Sequence, residues 1–578
     1  MRAINGVNYW KAVVVFLAAF SMTVSSGVAP MARASGDKGG AQRGPYQIGS
    51  GNTAIADPPV PRPKTKPCQV LLFMNDEFDN YNEMPFNYIP PANCPGPWAK
   101  VVFNANFNVT KGVQYDRTGN VWVAGSVIYF GTTPEPSTTL GPNWHVESDL
   151  TDYTSLFSVA QSGQVTLGNT VNGQYTGIIY GTAWLQFYPL EPNQTVPVTA
   201  DMVLPLSGSA TGGTVSLNTG TNLLSQTFTL PTNVDRAYLD VFAQGQSDDE
   251  FWYTCVPDDV ASELESCTGT PFRETEVTID GTPAGVAPIY PWIFTGGIDP
   301  YLWIPTPGVQ TLNFVAYRVD LTPFAGMLSN GQPHTVALSV FNADSYFSAT
   351  ANLLLFLDHG SQTVTGAVLK NTLTVPNPNV VENLTNNNGT ITGTVTVTNG
   401  HKFAISGYAV TSKGKVTTTV EQNVQFKSLQ TFDIVPGTTY VQDINQDSFV
   451  NSNSTTSGPG THIVSAEQFS YPLKLGINVA YDSNGNAVQT TTSEQVYKSN
   501  TFGVANNVPQ NNSVISNTVT TTDELDISAV GQITGNQDQS SSQHFIETNT
   551  AGPLACYDRV ITSTNNLLAN VTNGCGAK

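Results

Sequence analysis

From Cys68 onward the chain is a succession of short runs in which apolar residues recur at every second position or fill the run outright. Turn residues separate the runs. WAKVVFNANFNV (Trp98 to Val109), VWVAGSVIYF (Val121 to Phe130), GIIYGTAWLQFY (Gly177 to Tyr188), RAYLDVFA (Arg236 to Ala243), HTVALSVF (His334 to Phe341) and ANLLLFL (Ala351 to Leu357) are of this kind. Period-two and short continuous apolar runs bounded by turn residues predict strands, and strands at this spacing predict antiparallel sandwiches or jelly rolls. No stretch of a dozen residues holds a 3.6-residue apolar period, so long helices and coiled coils are not expected. The expected fold class is all-β, with two tandem antiparallel jelly-roll/β-sandwich domains and an additional C-terminal β-sandwich domain.

The N-terminal 34 residues read differently. Arg2 and Lys11 precede or flank an apolar run from Ala12 to Val24, and Ala32-Arg33-Ala34 is an A-x-A cleavage site, so residues 1–34 read as a secretory signal peptide. The apolar run is well short of the roughly 20 residues that cross a bilayer, and no later segment predicts a span. The mature chain is expected to be secreted or periplasmic. Residues 35–67, Gly-, Ser- and Pro-rich and ending in PPVPRPKTKP, read as a flexible leader. The first jelly-roll domain is placed at 68–225 and the second at 226–380. Beyond VPNPN (Val375 to Asn379) aromatic content drops and Thr/Val/Asn/Ser alternation takes over, so 381–578 reads as a separate accessory β domain with polar outer faces and no assigned chemistry.

Composition narrows the function. With 23 Lys+Arg against 43 Asp+Glu, the formal net charge is −20 and the pI about 4.5. A phosphate backbone needs a basic face, so nucleic acid is not expected as a partner. Only 11% of residues are charged, against the roughly 25% usual in soluble domains, while 40% are hydrophobic. The surface is therefore built from Thr, Asn, Ser, Gln and Gly. Six cysteines in an exported chain point to disulfides. They fall as the couples Cys68 and Cys94, Cys255 and Cys267, Cys556 and Cys575; six cysteines allow about 15 connectivities, of which local pairing is the one expected. Six scattered histidines with no H-E-x-x-H spacing give no support to a metal hydrolase, and neither a G-x-S-x-G elbow nor a nucleotide-binding fingerprint is present. No metal or organic cofactor is expected.

Few acids remain to carry chemistry, and two stand in unusual contexts. Asp116 lies in VQYDRTGNVWV between Tyr115 and Arg117, just ahead of a strand, where the Arg117 cation favours the ionised carboxylate. An ordinary Asx turn is the alternative for this Asp. Glu250 lies in QGQSDDEFWYTC, where three acids run into Phe251, Trp252 and Tyr253. Crowded carboxylates raise one another's proton affinity and an aromatic wall removes water, so a protonated Glu is expected here. Two carboxylates kept in opposite protonation states are the minimum equipment for hydrolysing an amide or a glycoside. Trp184, Trp252, Trp292 and Trp303 are either core residues or stacking surfaces for sugar rings.

DDEFWYTCVP followed by IYPWIFTGGIDPYLWIPTPGVQTLNFVAYRVDLTPFAGMLSNGQPHTVALSVFNADSYF, within Asp248 to Phe347, resembles the peptide-N-glycosidases, or glycoamidases. So does WHVESDLTDYTSLF (Trp144 to Phe157). The likeness is to the plant-type, acid-active A class and its bacterial relatives over residues 66 to 375. A more distant likeness to the bacterial F class rests on Tyr115-Asp116-Arg117 with Asn120-Val121-Trp122-Val123, on LPTNVDRAYL (Leu230 to Leu239) and on Phe272-Arg273-Glu274-Thr275-Glu276-Val277. The resemblance implies that Asp116 is the principal catalytic carboxylate and Glu250 the second. It also implies that Arg318, two residues before Asp320, contacts sugar. Two positions depart from the F pattern: Thr182 stands in GTAWL where that class has a Glu, and Gln246 replaces an aromatic of the core-sugar site. The second departure implies a differently shaped site around the first GlcNAc, of the kind that permits tolerance of a core α1,3-fucose, an A-class property.

The activity this implies is hydrolysis of the β-aspartylglucosaminyl amide of N-linked glycopeptides or denatured glycoproteins. The glycan leaves intact and Asn becomes Asp, at acidic pH, with the enzyme a monomer. Expected substrate contacts are Tyr115, Arg117, Trp184, Asp249, Trp252, Trp303 and Arg318. The competing reading is a non-catalytic secreted glycan-binding or adhesin protein. A copper monooxygenase would need clustered His and Met ligands, and a carboxylate-pair glycosidase would leave GlcNAc on the Asn.

Overall fold

A computed structural model describes residues 46–207, 209–218, 221–510, 512–549 and 556–577. The signal-peptide reading of 1–34 lies outside these residues. The described chain is almost wholly β. Eight strands come first: β1 (Cys68–Phe78), β2 (Met84–Tyr88), β3 (Trp98–Val109), β4 (Thr118–Val123), β5 (Ser126–Thr132), β6 (Asn143–Asp149), β7 (Gln161–Leu167) and β8 (Ile179–Pro189). They form two antiparallel sheets, β1-β8-β3-β6 and β2-β7-β4-β5. The sheets face each other across a core in which Tyr129 stacks on Phe103 and Phe107.

The second sandwich follows with β9 (Met202–Pro205), β10 (Val215–Leu217), β11 (Leu224–Thr229), β12 (Val234–Gln246), β13 (Glu274–Ile279), β14 (Thr282–Pro288), β15 (Tyr317–Asp320), β16 (Pro333–Phe341) and β17 (Tyr346–Leu357). Its sheets are β10-β17-β12-β15, with β9 beside β17, and β11-β16-β13-β14. The continuous apolar run ANLLLFL in β17 has a direct cause. Leu353 and Leu355 enter the second core while Leu354 and Phe356 enter the first, so this strand is buried on both faces.

The described residues between 365 and 573 form one thirteen-stranded sheet with strands up to 22 residues long. Burial alternates along much of their length, most regularly in Gly414–Val435. In Gly414–Val435 the inward positions include Val424, Phe426, Gln430 and Phe432. Their inner face joins the core of the second sandwich: Phe426 meets Phe272 at 5.1 Å, Phe469 meets Tyr317 at 5.4 Å, and Tyr471 meets Tyr290 at 5.0 Å. Glutamines are interleaved with these apolar groups and bond backbone atoms of the sandwich. Gln430 Nε2 donates to the Cys255 carbonyl at 2.8 Å, Gln442 Nε2 to Thr254 at 2.9 Å, and Gln495 Nε2 to Pro291 at 2.6 Å. The segment read as a flexible leader is tied down from Tyr46 onward. Ala54 and Ala56 are buried against Tyr557 and Ile561, Asp57 accepts from Asn517 and Gln543, and Arg62 pairs with Glu147 at 2.9 Å. Pro and Gly content signals irregular backbone, which it is; side-chain anchoring is invisible to composition.

The cysteines close the three local disulfides, Cys68–Cys94, Cys255–Cys267 and Cys556–Cys575. No helix among the described residues is long and apolar enough to cross a membrane.

Candidate active site

Asp116 sits in the loop from β3 to β4, and the loop is shaped by the buried Gln114. Its Nε2 donates to the Thr170 and Gly177 carbonyls, while its Oε1 accepts from Tyr115 N at 3.0 Å and Arg117 Nη2 at 2.5 Å. Arg117 is fixed further by Nε to Asn169 Oδ1 and by its N–H to Thr133 Oγ1. Two other chain segments converge on the Asp. The Gly296 N–H donates to Asp116 Oδ2 at 3.0 Å, and the Asp116 N–H donates to Glu135 Oε1 at 3.2 Å. Gly296 is required by close approach: a Cβ there would collide with Glu135 Oε1 and lie 3.5 Å from Asp116 Cγ. Glu250 is delivered by the 3₁₀ turn Ser247–Thr254 at the end of β12, which Ser247 enters with φ of 57°.

The three carboxyls perturb one another. Burial together with the charges of Asp116 and Glu135 pushes Glu250 well above the usual carboxylate range. Burial and the Asp116 charge push Glu135 up to about 8, against the opposing Asp116 N–H and Arg117. Asp116 is also raised by burial, but the Gly296 N–H and Arg117 both favour its anion. Glu135 accepts an N–H too, at the longer 3.2 Å, but it faces the Asp116 charge as well. The environment therefore selects Asp116 as the ionised member and leaves protons on Glu135 and Glu250.

Tyrosines form the rim. Tyr115 and Tyr175 meet at 5.3 Å, Tyr346 stands across the β12–β17 ladder from Gln246 and within reach of the Glu250 charge, and the exposed Tyr81 ring lies over Gly168. The strand register thus places an aromatic opposite the Gln246 that replaced one. Among the described residues no three His, Cys, Asp or Glu side chains are grouped as metal ligands.

Of the residues singled out from the sequence, Asp116, Glu250, Tyr115 and Arg117 come together, and the others do not line the cluster. Asp249 is fully buried. Its carboxylate takes Arg273 Nε at 2.9 Å and the N–H groups of Asp344 and Ser345 at 2.9 and 2.8 Å, so it braces the Glu250 turn rather than meeting substrate. Asp249→Ala is expected to cost about 3–5 kcal/mol in a urea melt, because Arg273 is left buried and unpaired. Trp252 is 3% exposed and packs in the second core. Trp303 is equally buried and donates Nε1 to the Gly297 carbonyl at 2.9 Å, holding the loop that carries Gly296. Trp184 is buried in β8 opposite Asn104, beside His145. Arg318 lies opposite Asp240, six residues before Gln246 on β12 and so about 20 Å along the strand; it bonds Asp240 and Asp152. Large indoles and long cationic chains look alike in sequence whether they face a ligand or a neighbouring layer.

Glu135 was not singled out. Its context, TTPEPS, has no aromatic or acidic neighbour; the available signal was that it is the lone acid between Asp116 and Glu147, flanked by prolines just past a strand. Thr182, which departs from the F pattern by standing in place of a Glu, accepts from the Asn75 N–H.

Residues 58–373 match the family model of peptide N-acetyl-beta-D-glucosaminyl asparaginase amidase A. Over 530 residues the chain is 28% identical to the peptide-N4-(N-acetyl-beta-glucosaminyl)asparagine amidase A of Prunus dulcis, covering 88% of this chain and 90% of that protein. Among solved structures, PNGF-II overlaps at a TM-score of 0.37 with 14% identity, covering 51% of this chain and 65% of the other. PNGase F, a glycosylasparaginase from Flavobacterium meningosepticum, overlaps at a TM-score of 0.34 with 16% identity, covering 50% of this chain and 96% of its own.

Proposed function

This chain belongs to the peptide N-acetyl-beta-D-glucosaminyl asparaginase amidase A family, and we propose that Asp116, Glu135 and Glu250 together perform its amide hydrolysis. The enzyme is a glycoamidase: it cleaves the β-aspartylglucosaminyl bond of N-linked glycopeptides, releases the glycan and converts Asn to Asp. The observation that carries the site assignment is the joining of Asp116 to Glu135 through the Asp116 N–H, with Glu250 within reach of both charges and the Gly296 N–H and Arg117 favouring the anion of Asp116.

Asp116 takes a proton from water as the water oxygen bonds to the side-chain amide carbon. The carbonyl π electrons move to oxygen, and the developing oxyanion is stabilised by protonated Glu250 and by Arg117. Glu135 spends Oε1 on the Asp116 N–H, so Oε2 is free to carry its proton to the leaving nitrogen. The C–N bond then breaks to give an Asp side chain and a glycosylamine, which loses ammonia in water. Tyr115, Tyr175 and Tyr346 offer the sugar faces that the buried tryptophans do not. That burial also removes the main support for a purely lectin-like protein.

The pH dependence follows from the same groups. Activity needs the proton on Glu135, which is present below about 8 and lost as pH rises through that value, and it needs Asp116 ionised. Activity is therefore expected to peak on the acid side of neutrality and to fall on a limb near pH 8. A kcat/KM profile that peaks above pH 8 contradicts the assignment. The disulfides fit a secreted protein. Export through the N-terminal 34 residues, action as a monomer and tolerance of core α1,3-fucose belong to the same proposal.

A further inference from the structure

The loop that supplies the Gly296 N–H is held from below by the C-terminal sheet. Thr521 Oγ1 donates to the Leu302 carbonyl at 2.9 Å, Asn566 Nδ2 donates to the Tyr301 carbonyl at 2.8 Å, and Gln495 Oε1 accepts from Val309 N at 2.7 Å. In the same contact two carboxyls are neighbours: Asn536 Nδ2 donates to Asp523 and to Asn566, Asn566 in turn holds Tyr301, and Asp299 and Asp523 each lie within reach of the other. Asp299, three residues after Gly296, is 0% exposed, and Asp523 on the sheet is 1% exposed. Asp299 Oδ1 accepts the Tyr301 N–H at 2.9 Å and Asp523 Oδ1 accepts from Asn536 at 3.4 Å. Among the described residues neither Oδ2 receives a donor from any third group. Two buried anions in contact with no donor between them are not a stable arrangement, whereas a carboxyl donating to a carboxylate is.

We propose that Asp299 and Asp523 share a proton, and that this bond is a positioning clasp by which the C-terminal sheet fixes the Gly296 loop against Asp116. The residues 381–578, to which the sequence assigned no chemistry, thereby take part in setting the active site. Other titratable groups around the pair are Tyr301 on the loop, Glu524 next along the sheet and, beyond Tyr301, Glu135. All are acidic, which favours keeping the proton. Burial and the neighbouring Asp523 charge raise Asp299 well above its usual range, while Asp523 itself is raised to about 6. Groups raised in this way stabilise the fold fully below their unfolded value, near about 4, and the contribution is lost as pH rises through about 6 and beyond.

The test compares the full-length mature protein with Asp299→Asn, whose amide can still accept the Tyr301 N–H and is a permanent donor to Asp523. Melting temperatures are measured at pH 5 and pH 8. The wild type is expected to lose at least about 3 °C more than D299N over this interval, because the substituted clasp no longer depends on a proton. Parallel curves would overturn the clasp. Should D299N fail to fold, D523N installs the donor on the other side and the same comparison decides. The clasp rests on the glycoamidase reading only for its effect on catalysis. That effect is read as the ratio of kcat at pH 5 to kcat at pH 7.5, expected to be roughly threefold smaller in the Asn variant with KM unchanged. A protein whose melting curves behave as expected but which leaves glycopeptide intact would keep the clasp and sink the enzyme assignment.

Discussion

Asp116→Asn is expected to lower kcat on an N-glycopeptide by about 10²–10⁴-fold, the range for loss of a general base, with KM little altered. The substitution removes the anion and leaves the shape. The oxygen of the introduced amide still accepts the Gly296 N–H, and the backbone bond to Glu135 is untouched. Stability should therefore be kept or improved, since Asp116 holds a charge that burial opposes and that raises both Glu135 and Glu250. Functional groups are commonly maintained at a cost in stability. An inactive variant with an equal or higher Tm separates loss of chemistry from loss of fold. Near wild-type activity would remove Asp116 from the mechanism.

A chain cut after residue 373 is expected to be insoluble, although it carries all three carboxyls of the proposed site. The cut uncovers Phe272, Tyr290 and Tyr317, which rest on Phe426, Phe469, Tyr471 and Tyr497. Each large apolar side chain returned to water costs about 1.5–3 kcal/mol, so a few of them consume most of the about 5–15 kcal/mol by which a domain is stable. The carbonyls of Thr254 and Cys255 lose their glutamine donors in the same step, directly behind the Glu250 turn. Soluble expression with measurable activity would show that the C-terminal sheet is dispensable.

Strands were legible because period two is a local property: Trp98–Val109 falls where its run predicts, and the Ala351–Leu357 run lies within a strand that begins earlier, at Tyr346. Asp116 and Glu250, which the fold brings within reach of each other's charge, stand out in the sequence because each sits beside residues that alter its proton affinity. Glu135 acquires its environment only when three distant segments meet, so its own neighbours in sequence say nothing. The same limit explains Asp249, which shares a local context with Glu250 but points the other way, onto Arg273. In the C-terminal third, alternation identified the two faces of each strand. Glutamine at inward positions, such as Gln430 and Gln495, read as surface because the polarity of a side chain does not reveal whether it will meet water or a buried carbonyl.

The central claim is amide hydrolysis at the Asp116 cluster. A defined N-glycopeptide incubated with the mature wild type and with D116N at pH 5, in ordinary and ¹⁸O water, tests it by mass spectrometry. The account predicts an intact released glycan and a peptide whose Asn has become Asp carrying ¹⁸O, formed by the wild type and not by D116N. A peptide that keeps GlcNAc on its Asn, or a glycopeptide that stays whole, would contradict it.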